Sequence, residues 1–225
     1  MFDKEQQSSA LAAIVKYNVK DSLRDVFNPW RIYALNDEGG LVNCTFPQGC
    51  KKPYIPVPYC QETFSGWEYE LAGLLLAAGD TKNALRVAGA SRARYNGVKR
   101  NPYNEMECGS NYSRSMSSFA FLPLASGFTF DMPRKKIGFA PVGNPETFHS
   151  AWFLGKVWGS VDFTPQRVQI NLCGKPVTLS ALTLSNASQV TALVVDGKKI
   201  PFTVNGNDLC FAEQEIAATV VCSLA

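Results

Sequence analysis

Hydrophobic and polar residues alternate with two different periods along this chain of 225 residues. Up to about residue 127, apolar residues recur at spacings of three and four, which is typical of amphipathic helices. From about residue 128, short apolar runs are separated by turn pairs such as Asp196-Gly197, which is typical of strands. The pattern therefore predicts a mostly helical first half and a strand-rich second half.

Four helices are predicted in the first half. They cover about 3–17, 62–79, 81–95 and 110–127. Asp3 is a suitable cap for the first helix, and Pro123 is expected to kink or shorten the last one. The segment 20–59 is irregular and rich in proline and glycine, and a loop of this length in a compact domain is usually functional.

Seven short strands are predicted in the second half. They cover Val157–Phe163, Arg167–Leu172, Val177–Leu184, Val190–Val195, Ile200–Val204, Asp208–Phe211 and Ala218–Cys222. Strands at this spacing indicate an antiparallel sheet or a small sandwich. We therefore predict two domains, residues 1–127 and 128–225.

Composition excludes several classes of function. The net charge is +3 and no run of five Lys or Arg residues occurs, so a nucleic-acid partner is not expected. No stretch of 18 apolar residues occurs, so no transmembrane segment is predicted. The N-terminus is charged and polar and does not resemble a signal peptide, but an upstream part could carry one, which leaves localisation open.

The seven cysteines do not form a metal-binding pattern. No CxxC occurs, and His149 is the only histidine, so neither a metal site nor a cofactor is predicted. An odd number of cysteines argues against a complete disulfide framework. Cys44 and Cys50 are candidates to pair in an exported protein, and buried free thiols are the alternative.

The most distinctive stretch is Lys99–Met116, with the sequence KRNPYNEMECGSNYSRSM. It is too polar to form part of a hydrophobic core, and its C-terminal part overlaps the start of the predicted helix 110–127. Carboxylate, amide and guanidinium groups in such a place suit sugar hydroxyls, which both donate and accept hydrogen bonds. The alternative is a buried structural network that joins a glutamate, Glu105 or Glu107, to Arg100 or Arg114.

This stretch resembles the signature run of the glycoside hydrolase family that includes the bile acid β-glucosidase, or non-lysosomal glucosylceramidase (glycoside hydrolase family 116). The family usually has Trp where Tyr103 stands and Ile where Met106 stands. Two further segments, 57–72 and 127–141, resemble the family in the same order. The resemblance covers roughly residues 1–160.

The resemblance implies both a fold and an activity. The family consists of a β-domain followed by an (α/α)6 barrel, and its members hydrolyse β-glucosides with retention by means of two carboxylates. Both carboxylates lie upstream of the region that this chain resembles, so no catalytic residue is assigned. The expected fold is therefore mainly α, with a partial (α/α)6 toroid at 1–127 followed by antiparallel strands at 128–225.

The resemblance also implies substrate-binding residues. Glu105 matches the glutamate that accepts hydrogen bonds from the glucose hydroxyls far from the anomeric carbon, and Arg114 matches the arginine that donates to the same end of the sugar. The other candidates are Arg100, Asn104, Glu107, Glu62 and Trp67. Packing in the core is the alternative for Trp67.

The expected function is that of the C-terminal portion of a β-glucosidase, active when a missing N-terminal part completes it. Its expected partner is a β-glucoside, whose aglycone the sequence leaves open. One rival is a split enzyme that pairs with a separately encoded N-terminal half or self-associates through exposed helix faces. Another rival is a non-catalytic remnant or a carbohydrate-binding or interaction module.

Overall fold

A computed structural model describes residues 3–26, 32–55, 57–105, 114–143 and 147–225. The chain divides into two compact units, Met1–Phe121 and Leu122–Ala225. Helices make up 29% of the described residues and strands 35%, so the prediction of a mainly α chain is wrong. The partial (α/α)6 toroid is also wrong, because the described residues contain four α-helices and two large sheets.

The first unit contains helices joined by irregular chain. Its elements are α1 (Lys4–Tyr17), β1 (Val19–Lys20), β2 (Gly40–Leu41), α2 (Ser65–Ala77), α3 (Thr81–Arg94) and a 3₁₀ helix (Arg114–Ala120). Asp3 caps α1 by accepting from the backbone N–H groups of Glu5 and Gln6. The described residues between β1 and α2 form turns and one short strand, because their many glycines and prolines do not support helices. The described part of 20–59 is therefore irregular, as its proline and glycine content predicted.

A buried ion pair joins α2 and α3. Arg94 donates from both Nη atoms to the carboxylate of Glu68, and their side chains are 1% and 0% exposed. The same guanidinium donates to the carbonyl of Gly39 at 2.8 Å, and the N–H of Leu41 donates to Glu68 at 3.1 Å. Burial raises the pKa of Glu68, while the charge of Arg94 opposes that rise. The pair thus fixes both helices to the chain around β2.

The second unit contains two sheets, preceded by the short helix α4 (Phe121–Ser126). The strands are β3 (Thr129–Asp131), β4 (Lys136–Phe139), β5 (Phe148–Leu154), β6 (Val157–Thr164), β7 (Arg167–Gly174), β8 (Val177–Leu184), β9 (Val190–Val195), β10 (Lys198–Ile200), β11 (Phe202–Asn205), β12 (Asp208–Ile216) and β13 (Thr219–Leu224). One sheet has the order β10-β9-β13-β7-β6-β5 and the other β11-β12-β8-β4-β3. All pairings are antiparallel except that of β4 with β8.

Both sheets contribute alternate residues to one apolar core. Ile170 and Leu193 come from the six-stranded sheet, Leu182 and Leu209 come from the five-stranded sheet, and each is at most 1% exposed. Trp152 is also buried, and its indole N–H donates to the carbonyl of Ser160 at 3.2 Å. Burial of this apolar area is the main term that stabilises the second unit.

The predicted strand at 200–204 is divided in the structure. Ile200 ends β10 in the six-stranded sheet, and Phe202 begins β11 in the five-stranded sheet. Pro201 lies between them, and because proline has no N–H it cannot continue a ladder of donors. Strands β3, β4 and β5 were not predicted. Within the described ranges, no helix has both the length and the apolar character needed to cross a bilayer.

Candidate functional site

The first unit contains a polar cavity with a volume of about 380 Å³. Its walls come from α2, the end of α3, the segment 102–105 and the 3₁₀ helix. The lining residues are Ser65, Tyr69, Ser91, Arg92, Tyr95, Pro102, Tyr103, Asn104, Glu105, Ser115, Met116, Ser118 and Phe119. Hydroxyl groups and aromatic rings thus surround one carboxylate.

The carboxylate of Glu105 is held by two donors. The hydroxyl of Ser65, the first residue of α2, donates to one oxygen. The backbone N–H of Ser115 donates to the other oxygen at 3.1 Å. A carboxylate has about four acceptor positions, so these two bonds leave capacity for a ligand. Burial and the charge of Glu105 both raise the pKa of Tyr95, another residue that lines the cavity.

Close packing of α2 against the 3₁₀ helix aligns these two donors. A Cβ atom at Gly66 would lie 2.8 Å from both the Cβ and the carbonyl oxygen of Arg114, so only glycine permits this approach. The hydroxyl of Ser117 donates to the carbonyl of Gly66 at 2.7 Å. The guanidinium of Arg114 lies 4.9 Å from the centroid of the Phe64 ring, in cation–π contact.

The structure brings together some of the predicted site residues. Asn104 and Glu105 line the cavity, whereas Arg114 is adjacent, with its backbone at the start of the 3₁₀ helix. Trp67 is 44% exposed, and its ring meets that of Phe64 edge-on at 5.2 Å. Glu107 lies outside the described residues. That Glu105 and Arg114 share one sugar hydroxyl stays a prediction.

Glu62 and Arg100 are engaged in contacts away from the cavity. The buried carboxylate of Glu62 accepts from three backbone N–H groups, those of Ile32 at 2.7 Å, Tyr33 at 3.3 Å and Thr63 at 3.0 Å. Arg100 forms a bidentate ion pair with Glu38, with Nη1–Oε1 and Nη2–Oε2 distances of 2.5 and 2.8 Å. Both residues therefore have structural contacts that organise the chain around the site.

Several lining residues were not identified as site residues from the sequence. Ser65 and Tyr69 stand in the segment 57–72, which resembles the glycosidase family, but neither was named as a site residue. Arg92, Tyr95 and Phe119 carried no signal apart from helical spacing. In the described part of the chain, no group of three His, Cys, Asp or Glu residues is placed to hold a metal ion.

No protein-family profile and no curated protein matches this chain. One matching solved structure is provisionally assigned as a kojibiose phosphorylase from human microbiome, with 11% identity over 68% of this chain and 19% of its own, and a TM-score of 0.34. Another is the α-L-rhamnosidase from Dictyoglumus thermophilum, with 12% identity over 72% of this chain and 21% of its own, and a TM-score of 0.43. The chain spans about a fifth of either structure. Both names denote carbohydrate-active enzymes, and at these scores neither likeness carries an argument about this chain.

Proposed function

We propose that this chain supplies one wall of the glucose-binding pocket of a retaining β-glucosidase. In this proposal Glu105 binds the hydroxyls at the end of the sugar away from the anomeric carbon, and Arg114 and Asn104 donate to the same end. The observation that carries the proposal is the carboxylate of Glu105, which has acceptor capacity to spare in a cavity lined by hydroxyls and aromatic rings. The run Lys99–Met116 supports it through its resemblance to the glycosidase signature.

The chemistry of the cavity suits a neutral polyol. A sugar hydroxyl donates its proton to a carboxylate and accepts from a guanidinium or an amide, so it can satisfy both kinds of group at once. The rings of Tyr95, Tyr103 and Phe119 offer apolar surface to the C–H groups of a pyranose ring. The opposite charges of Glu105 and Arg92 both lie in the lining, which favours a neutral ligand over an ion.

The cavity by itself favours binding over hydrolysis. Retaining hydrolysis needs two carboxyl groups about 5–5.5 Å apart across the glycosidic bond. Among the described residues that line the cavity, Glu105 is the only carboxylate. This observation favours the second candidate, a carbohydrate-binding module without activity of its own. Under either candidate, we expect the purified 225-residue chain not to release nitrophenol from 4-nitrophenyl β-glucoside.

Calorimetric titration of the full chain with 1-deoxynojirimycin and methyl β-glucoside tests the proposal. Glu105→Gln should weaken binding by about 10- to 100-fold, because a hydrogen bond to a charged group contributes about 1.5–3 kcal/mol. Glu70→Gln is the matched control, because it removes the same charge from an exposed position on α2 outside the cavity. Its affinity should equal that of the wild type.

Two results would contradict the proposal. One is the absence of heat of binding with both ligands at millimolar concentration. The other is equal loss of affinity in Glu105→Gln and Glu70→Gln, which would point to a general effect of charge. Turnover of the nitrophenyl glucoside by the chain would instead contradict the assignment of the catalytic carboxylates to a separate region.

A further inference from the structure

Two cysteines lie opposite each other where the loop before α2 returns to the segment after β2. Val42 pairs with Thr63 in an isolated antiparallel bridge. Two residues further on, the N–H of Cys44 donates to the carbonyl of Cys60 at 2.6 Å. The side-chain amide of Asn43 also donates to this returning chain, at 2.8 Å from the carbonyl that precedes Cys60. The backbone thus places Cys44 directly across from Cys60.

This placement fits the geometry of a disulfide. One backbone hydrogen bond joins the two residues, from the N–H of Cys44 to the carbonyl of Cys60, whereas the N–H of Cys60 donates to Val57. Hydrogen-bonded neighbouring chains lie about 4.7–4.9 Å apart, which is compatible with the Cα separation of about 4.4–6.8 Å that disulfides span. The thiol of Cys44 also lies near enough to affect the ionisation of Cys60. Burial raises the pKa of Cys60, and a hydrogen bond with the Cys44 side chain and its charge raise it further, whereas Lys52 opposes the rise.

We infer that Cys44 and Cys60 are an oxidation site at which the two thiols form a disulfide with a small-molecule disulfide such as oxidised glutathione as the oxidant. The exposed thiolate of Cys44 attacks one glutathione sulfur, and one glutathione thiolate leaves. The thiolate of Cys60 then attacks the Cys44 sulfur of the mixed disulfide and releases the second glutathione. Two electrons pass from the cysteine pair to glutathione disulfide, and the two thiol protons pass to the released glutathione or the buffer.

The third cysteine of this region is placed differently. Cys50 is exposed, and its N–H donates to the carbonyl of Pro47 at 2.9 Å within a turn at the tip of the loop. The sequence analysis gave Cys44 and Cys50 as candidates to pair in an exported protein, with buried free thiols as the alternative. The described contacts favour Cys60 as the partner of Cys44, because Cys60 faces it across two hydrogen-bonded chains.

The cross-link would constrain chain next to the candidate site. It closes the loop 44–60, in which Gly49 and Tyr59 have φ values of +93° and +63°, a region that few non-glycine residues adopt. The ring of Tyr59 lies 6.0 Å from that of Phe64, the ring that Arg114 covers. Closing a loop removes conformations from the unfolded and locally open states. This inference does not depend on the proposed function.

Peptide mapping of the full chain after equilibration with oxidised and reduced glutathione tests the inference. Remaining thiols are alkylated before digestion with trypsin, which cleaves after Lys51 and separates Cys60 from the peptide that holds Cys44 and Cys50. The oxidised protein should yield these two peptides joined, with the mass of two hydrogen atoms lost. Cys50→Ser is the control variant and should keep the joined peptides, whereas Cys44→Ser should lose them.

Three outcomes would overturn the inference. The first is full alkylation of Cys60 in the wild type after equilibration with oxidised glutathione. The second is loss of the joined peptides in Cys50→Ser, which would assign the partner to Cys50. The third is a cross-link within the first peptide, which would join Cys44 to Cys50. Hydrogen exchange gives a second readout: amides of residues 45–59 should exchange more slowly after oxidation in the wild type and in Cys50→Ser, but not in Cys44→Ser.

Discussion

The two units of this chain bury different kinds of side chain. Among the described residues, the first unit buries six polar or charged side chains and the second unit buries two. Those of the first unit are Glu62, Thr63, Ser65, Glu68, Ser91 and Arg94, and those of the second are Ser126 and Ser150. The second unit instead has a continuous apolar core shared by two sheets. The first unit therefore combines apolar burial with directional contacts such as the Glu68–Arg94 ion pair, whereas the second depends mainly on apolar area, which has no direction.

Truncating the buried ion pair should have the largest effect. Glu68→Ala leaves the Arg94 guanidinium buried without its counter-charge, which should lower the free energy of unfolding of the first unit by about 3–5 kcal/mol. Hydrogen exchange read by peptide should show faster exchange in α2 and α3 and unchanged exchange in β6–β9. Glu70→Ala, on the exposed face of the same helix, should leave exchange unchanged. Equal acceleration in the strands would break the comparison, because it would mean that one cooperative transition covers both units.

A cavity in the apolar core should have the next largest effect. Leu209 is fully buried, and Leu209→Ala should destabilise the second unit by about 2–5 kcal/mol through lost burial and the cavity left behind. Val204 is its cross-strand partner and is 44% exposed, so Val204→Ala is a matched control with an expected cost of about 0.5 kcal/mol or less. Urea unfolding followed by tryptophan emission measures both changes. Similar costs for the two variants would argue against a core held by apolar burial.

Removing the charge of Asp196, in the second unit, should have the smallest effect on stability. The carboxylate of Asp196 accepts from the N–H groups of Ala217, Ala218 and Thr219 at 2.8, 2.9 and 2.7 Å. Burial opposes the effect, but these three donors outweigh it and hold the pKa of Asp196 below its ordinary value. Because Asp196 is exposed and solvent screens it, Asp196→Asn should cost less than about 1 kcal/mol at pH 7.

The pH dependence of this contact has a definite sign. The pKa in the folded state lies below the unfolded value of about 3.9, so the contact stabilises above that value and is lost as the pH falls through the folded pKa. The urea midpoints of the wild type and Asp196→Asn should therefore differ at pH 7 and converge towards pH 3. A difference that stays constant over this range would show that the charge of Asp196 is not what the three amides bind.

The local pattern of the sequence predicted the elements better than the fold class. Strands β8 and β9 have the predicted bounds, because alternation of apolar residues directly reports a half-buried strand. Strands β3 and β4 are short and are separated by a turn at Lys135, so neither contains enough residues to show a period. The toroid was inferred from the family resemblance and from the spacing of apolar residues in the helices. Neither of these determines how the helices pack against one another.

The candidate site could be predicted only in part for the same reason. Glu105 was identified because its neighbours form a recognisable polar run. Arg100 belongs to that run as well, yet it pairs with Glu38, 62 positions away in the chain. Such a partner is chosen by tertiary packing, and no local spacing indicates it. Glu62 was predicted to bind substrate, but its carboxylate accepts hydrogen bonds from three backbone amides. In the sequence, a glutamate with this structural role cannot be distinguished from one that binds a ligand.

The passage of the chain from one sheet to the other at Pro201 bears on aggregation. β10 and β11 are edge strands of different sheets, of three and four residues, and Pro201 stands between them. An edge strand presents unpaired N–H and C=O groups on which a second molecule can add a strand. Short length, the charges of Lys198 and Lys199, and a proline that cannot donate all hinder that addition at these two edges. Replacing Pro201 would lengthen the available edge and favour intermolecular β-association of an otherwise well-packed unit.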